Sequence, residues 1–394
     1  MPKLVARSPH QDHRFLAKTA QTDGATVGTP TTPDKTDAPG KGARAKRTAS
    51  VADAREPAPS LNPRTAGLAP ASAGEAAARN PGAPAGTTAR LALRGWQAPP
   101  FACHIEGNKA IGPAGEVYAS TFRLGLFNPG ATAIQTFVEQ HPELLGALSP
   151  SLVAVAKAVS PNEGCLDAIN TWDNSFLSVG CFQWTAGTDD SAGELPAVVA
   201  ALERDNPEAF ARLFGQYGLG VSGVDFAEAV PRGFFTYNGE LVDNAAKKEG
   251  ILRTPEMAYL FWKAAQDPAF QSTEVTCAAR RVFAFLDGAV AGPAPHTVRN
   301  YVTSEYGVAQ LLDEHVNRPG HVLETLAAAV AGMAAGPSSP DPAVWSTLDE
   351  GRLLEQYLAL RAATNMTDST ARAQRIAQAA DAGVVSRERG SFVT

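Results

Sequence analysis

The first 95 residues set the limit on what this chain can fold into. They contain one aromatic side chain, Phe15, and eleven of the 29 prolines, and are otherwise rich in Ala, Gly, Ser and Thr. Such a stretch buries too little apolar surface to offset the entropy lost on ordering. Residues 1–95 are therefore expected to be a disordered arm, with the ordered body beginning near Trp96. Charge divides at the same place. The arm holds 14 Lys and Arg against 7 Asp and Glu, and the remainder 20 against 33, so an arm of +7 precedes a body of −13. A basic arm suits an acidic partner or a delivery apparatus. A solvated tail accounts for the same charge, and nucleic acid is not the expected partner.

Several classes are excluded. No apolar run approaches the roughly 18 residues of a membrane helix. The opening residues are basic but lack an apolar h-region, so no secretory signal peptide is expected. If the substrate lies outside the cell, delivery or lysis must bring the protein to it. Four cysteines without a C-x-x-C pair, and no His/Cys cluster with zinc spacing, predict neither a disulfide scaffold nor a metal. Cys165 and Cys181 can face each other across a hairpin or remain free thiols. No Ser-His-Asp elbow, P-loop or dinucleotide fingerprint is present, and no cofactor is expected.

Periodicity predicts a mostly helical, α+β body with one small hairpin. Residues 101–126 read as loops with short extended pieces. Helices are expected over 131–140 and 142–148, and from the Ser149-Pro150 start to Val159, this last one apolar on most sides. Further helices are expected over 193–200, 206–217, 254–265, 268–287, 301–315, 321–333, 347–363 and 368–382. Thr347 to Glu350 reads as a capping box. The expected division is an arm (1–95), a main body (96–335), a connector (336–345) and C-terminal helices with a tail (346–394).

The chemistry concentrates in Asn162 to Gly187, NEGCLDAINTWDNSFLSVGCFQWTAG. Glu163 follows the apolar helix, and Asp173 lies ten positions on. Cleaving a glycosidic bond needs two carboxyl groups flanking it. Glu163 is the candidate general acid, with the apolar helix expected to raise its pKa. Asp173 is the candidate second carboxylate, although Asp-Asn is also a common turn pair. Thr171 and Ser178 are hydroxyls suited to holding a water. Gln183 can bond a sugar amide, and Trp172 and Trp184 can stack on sugar rings. Tyr237 and Asn238 are groove candidates, although Asn-Gly is also a strong hairpin-turn dipeptide. Asp313, His315, Asn317 and Arg318 cluster at a helix end, for substrate or for an ion pair between helices.

NEGCLDAINTWDNSFLSVGCFQW resembles the active-site segment of the lysozyme-like superfamily. Glu163-Gly164, Asp173, Ser178 and Gly180 match the catalytic Glu-Gly and the later Asp, hydroxyl and glycine of phage-type lysozymes, where threonine is usual at the hydroxyl position. Gly180-Cys-Phe-Gln183 is similar to the Gly-x-x-Gln of lytic transglycosylases and goose-type lysozymes. Phe182 to Gly187 echoes the return of the related chitosanases. The resemblance implies a lysozyme-like fold and cleavage of β-1,4 bonds in peptidoglycan. A chitosanase-like hydrolase and a non-catalytic glycan-binding or particle-associated protein are the alternatives.

Overall fold

The computed structural model describes residues 98–292, 296–333 and 339–394. The expected arm lies outside them. An antiparallel meander opens the body: β1 (His104–Glu106), β2 (Lys109–Ile111), β3 (Val117–Phe122) and β4 (Gly125–Asn128). Gly107 and Gly115, which made this segment read as loop, are its turn residues, with φ of +59° and +83°. β4 then pairs with β5 (Ile169–Asn170), followed by β6 (Ser178–Val179) and β7 (Trp184–Thr185). The expected small hairpin is thus the far edge of a seven-stranded sheet.

Between β4 and β5 lie α1 (Ile134–Gln140), a 3₁₀ turn (Pro142–Leu145) and α2 (Pro150–Val159). The Ser149 hydroxyl caps α2, accepting the Leu152 amide at 3.3 Å. Leu152, Val155, Ala156 and Val159 are buried, as their spacing predicts. After β7 come α3 (Glu194–Asp205) and α4 (Pro207–Leu213). Next is a three-stranded sheet of β8 (Leu219–Ser222), β9 (Phe234–Tyr237) and β10 (Glu240–Val242). A helix without a clear sequence signature, α5 (Ala245–Ile251), precedes α6 (Pro255–Ala264), which Thr254 caps.

The helix expected over 268–287 is two helices, α7 (Pro268–Arg280) and α8 (Phe283–Leu286). The break falls at Arg281, whose buried guanidinium turns inward to Glu194 and donates to His315 Nδ1 at 3.2 Å. A short ladder of β11 (Ala289–Val290) and β12 (His296–Thr297) follows. A short helix, α9 (Val298–Tyr301), comes next, and the helix expected over 301–315 is α10 (Glu305–Asn317), which starts four residues later than expected. α11 (Val322–Met333), α12 (Thr347–Ala362) and α13 (Ser369–Asp381) complete the body.

The capping box of α12 sits one residue earlier than its spacing suggested, on Ser346 and Asp349. Glu350 reaches instead across to the backbone amides of Thr303 and Ser304, at 3.1 and 2.8 Å. The C-terminal helices are not set apart by the connector. α13 packs on α2 and α10, and the Ser149 hydroxyl donates to the Val393 carbonyl at 2.7 Å. All described residues fall in one compact unit.

Candidate active site

Glu163 follows α2 after a single 3₁₀ turn, Ser160–Asn162, and is 3% exposed. Its carboxylate forms an ion pair with Arg372 of α13 and accepts the Asn317 side-chain amide from α10 at 3.2 Å. Arg372 also holds Asp313 at 2.6 Å, and the other Asp313 oxygen takes Arg361 of α12 at 2.8 Å. Glu163, Arg372, Asp313 and Arg361 therefore alternate in sign. Each of these buried ions loses its water, and the cost is offset because every one of them faces an opposite charge. Burial opposes charge on Arg372, but Glu163 and Asp313 outweigh it and hold the guanidinium above its ordinary range. Asn162 ties the chain down, taking Arg372 on its carbonyl at 2.7 Å and donating to Asp313 at 2.9 Å. This corrects the expected apolar pocket: the groups touching the Glu163 carboxylate are a guanidinium and an amide.

Gly180 (φ +82°) and Gln183 (φ +50°) form the turn between β6 and β7. The Gln183 side chain donates to the Gly180 carbonyl at 2.9 Å. Its amide nitrogen lies 3.9 Å from where a Cβ on Gly164 would stand, so the turn lies against the residue following Glu163. Behind it, Glu274 of α7 presses on Gly180, and a Cβ there would lie 1.5 Å from the carboxyl oxygen. Glu274 is fully buried, and neither oxygen has a hydrogen-bond partner among the described residues. Burial, and then the nearby Asp167, push its carboxyl well above the ordinary range.

Asp173 is partly buried and accepts the Asn170 side-chain amide and the Ser175 backbone amide, each at 2.9 Å. Burial lifts its carboxyl above the ordinary value against those bonds. Its backbone carbonyl takes Arg253 at 2.6 Å. So Asp173 is both a turn residue and a carboxyl with altered acidity. The Trp172 ring lies under the Arg123 guanidinium, 4.4 Å from the ring centre.

Other sequence candidates are placed elsewhere. Thr171 is fully buried, and its hydroxyl accepts the Leu126 amide at 2.8 Å, which joins the loop to β4. Ser178 is buried in β6 between Asn170 and Thr185. Trp184 is core, packed on Phe182 with Arg281 over its ring, so it offers no sugar platform. Tyr237 is buried, and Asn238 with Gly239 forms the β9–β10 turn, outside the seven-stranded sheet. Cys165 and Cys181 are free thiols.

Of the helix-end cluster, Asp313 and Asn317 join Glu163, His315 pairs with Arg281, and Arg318 pairs with Glu314 in its own helix. Sequence reasoning missed Arg361, Arg372, Arg253 and Glu274. A sign of the first was present. Arg361 lies four and seven residues after Tyr357 and Leu354, on the buried face of α12, and an arginine there requires a buried carboxylate.

Among the described residues, no group of three or more His, Cys, Asp or Glu is arranged to hold a metal, and no helix is long and apolar enough to cross a membrane. No protein-family model, curated protein or solved structure matches the chain.

Proposed function

We propose that this chain is a lysozyme-like glycoside hydrolase that cleaves β-1,4 bonds of peptidoglycan, with Glu163 as proton donor to the leaving sugar oxygen. One observation carries the reading: Glu163 is held from several sides at once. Asn317 comes from α10 and Arg372 from α13, while the Gln183 turn lies against Gly164. A donor must pass between neutral and charged forms without stranding its partner. The Arg372 pair favours the Glu163 carboxylate, and Asp313 keeps Arg372 against an anion while Glu163 is protonated, with one positive charge then in excess among Arg372, Asp313 and Arg361. Asp173 supplies the second carboxylate, activating water or stabilising positive charge on the sugar.

The test is loss of turbidity of purified peptidoglycan. Glu163→Gln should reduce the rate about 100-fold or more, in the range of lost acid catalysis, with an unchanged circular dichroism spectrum. Equal rates would remove Glu163 from the mechanism. Mass spectrometry of the products separates hydrolysis, which leaves reducing ends, from transglycosylation, which leaves anhydro sugars.

The 3% exposure of Glu163 favours a second reading, a glycan-binding protein without turnover. Retention on peptidoglycan with no product from the wild type would decide for it. The basic arm is proposed as a loading segment for a particle or injection apparatus, with action on the cell wall after delivery or lysis. Deleting residues 1–95 should then abolish delivery and leave activity in vitro intact. Lost activity would count against that role.

A further inference from the structure

The turn between β3 and β4 carries an arginine where the backbone favours glycine. Phe122 pairs with Gly125, which leaves Arg123 and Leu124 at the tip. Two-residue hairpin turns of the primed types put their first central residue at positive φ, the province of Gly, Asn and Asp. Arg123 occupies it at φ +52°. Leu124 beside it is 80% exposed, so the tip is not pinned by burial.

The Arg123 guanidinium lies 4.4 Å from the centre of the Trp172 ring and 5.4 Å from that of Phe122. Phe122 meets Trp172 edge to face at 5.2 Å, which steadies the platform. Cation–π attraction holds the guanidinium in place without consuming its N–H donors. Arg123 makes no ion pair with a carboxylate among the described residues. Its platform directly precedes Asp173, the proposed second carboxylate. A residue at positive φ thus keeps an exposed cation on a ring whose chain neighbour is Asp173, and backbone strain of this kind gathers at ligand clamps.

We propose that Arg123 is a specificity-determining residue that receives the free lactyl carboxylate of an N-acetylmuramic acid from which the stem peptide is absent. A planar, forked donor matches that group, whereas an ammonium-bearing polymer such as chitosan is repelled. The substrate class is then a carboxylated amino-sugar polymer. This rests on reading the Asp173 side of the sheet as part of a glycan site.

Equilibrium binding tests it without requiring turnover. The probes are the β-1,4-linked N-acetylglucosamine–N-acetylmuramic acid disaccharide and its methyl ester, with the full chain as wild type, Arg123→Gln and Arg123→Gly. The wild type should prefer the acid over the ester by about tenfold, the scale of one charge-assisted contact, and both variants should lose the preference. No preference in the wild type, or an unchanged one in Arg123→Gln, overturns the proposal. Absence of peptidoglycan cleavage sinks the hydrolase reading alone and leaves this measurement intact.

Discussion

Lys248 and Glu274 are buried ionisable groups whose titrations oppose each other. Lys248 donates to the Ser191 carbonyl at 2.6 Å, and burial pulls its pKa from 10.5 to about 8, against the attraction of Asp189, Asp190 and Asp243. Between those values the unfolded chain holds the lysine's proton and the folded one does not, so the contribution of Lys248 to stability rises with pH from about 8 to 10.5, while the thiols of Cys103 and Cys277, pushed by burial from 9 up to about 12, act in the opposite direction above 9. The gain from this one group is on the order of 3 kcal/mol. Urea unfolding across that range should show the wild type gaining stability with pH relative to Lys248→Met, and parallel curves would contradict it. Glu274 has the opposite sign. Its folded form holds a proton well above 4.5, so its contribution is full below that pH and declines as pH rises. Glu274→Gln, which mimics the protonated acid, should remove this decline and be the more stable protein at neutral pH. An identical pH slope in the variant would show that Glu274 does not titrate as its burial requires.

At the scale of elements, three helices converge on the end of α2. Arg372→Met removes the guanidinium that Glu163 and Asp313 share in the interior, and should cost about 3–5 kcal/mol. Glu163→Gln should cost less, because Arg372 keeps Asp313. A double-mutant cycle by urea denaturation should give a coupling above about 0.5 kcal/mol. Additive effects would mean that the pair does not form. These elements were unequally legible in the sequence. α2 could be read because Ser149-Pro150 and its apolar spacing are local properties. The seven-stranded sheet could not, because six of its seven strands have four residues or fewer, too short to show a period. The break at Arg281 was hidden for a different reason: Val282, Phe285 and Leu286 continue the apolar pattern, and the interruption comes from partners on α3 and α10.

For the whole molecule, the contacts of α13 with α2 and α10 predict that the ordered body unfolds as one unit. Tryptophan fluorescence and far-ultraviolet circular dichroism should give coincident denaturation curves, and two separated transitions would contradict this. Glu163 and Gln183 were found in the sequence because they sit in one contiguous stretch. Arg372 was not, because it lies 209 positions from the carboxylate it holds. That separation also has a meaning in time. A ribosome adding about 5–20 residues per second needs roughly 10–40 s to travel from one to the other. Throughout that interval Glu163 exists without its guanidinium, so an unfinished chain carries the acid but not the site.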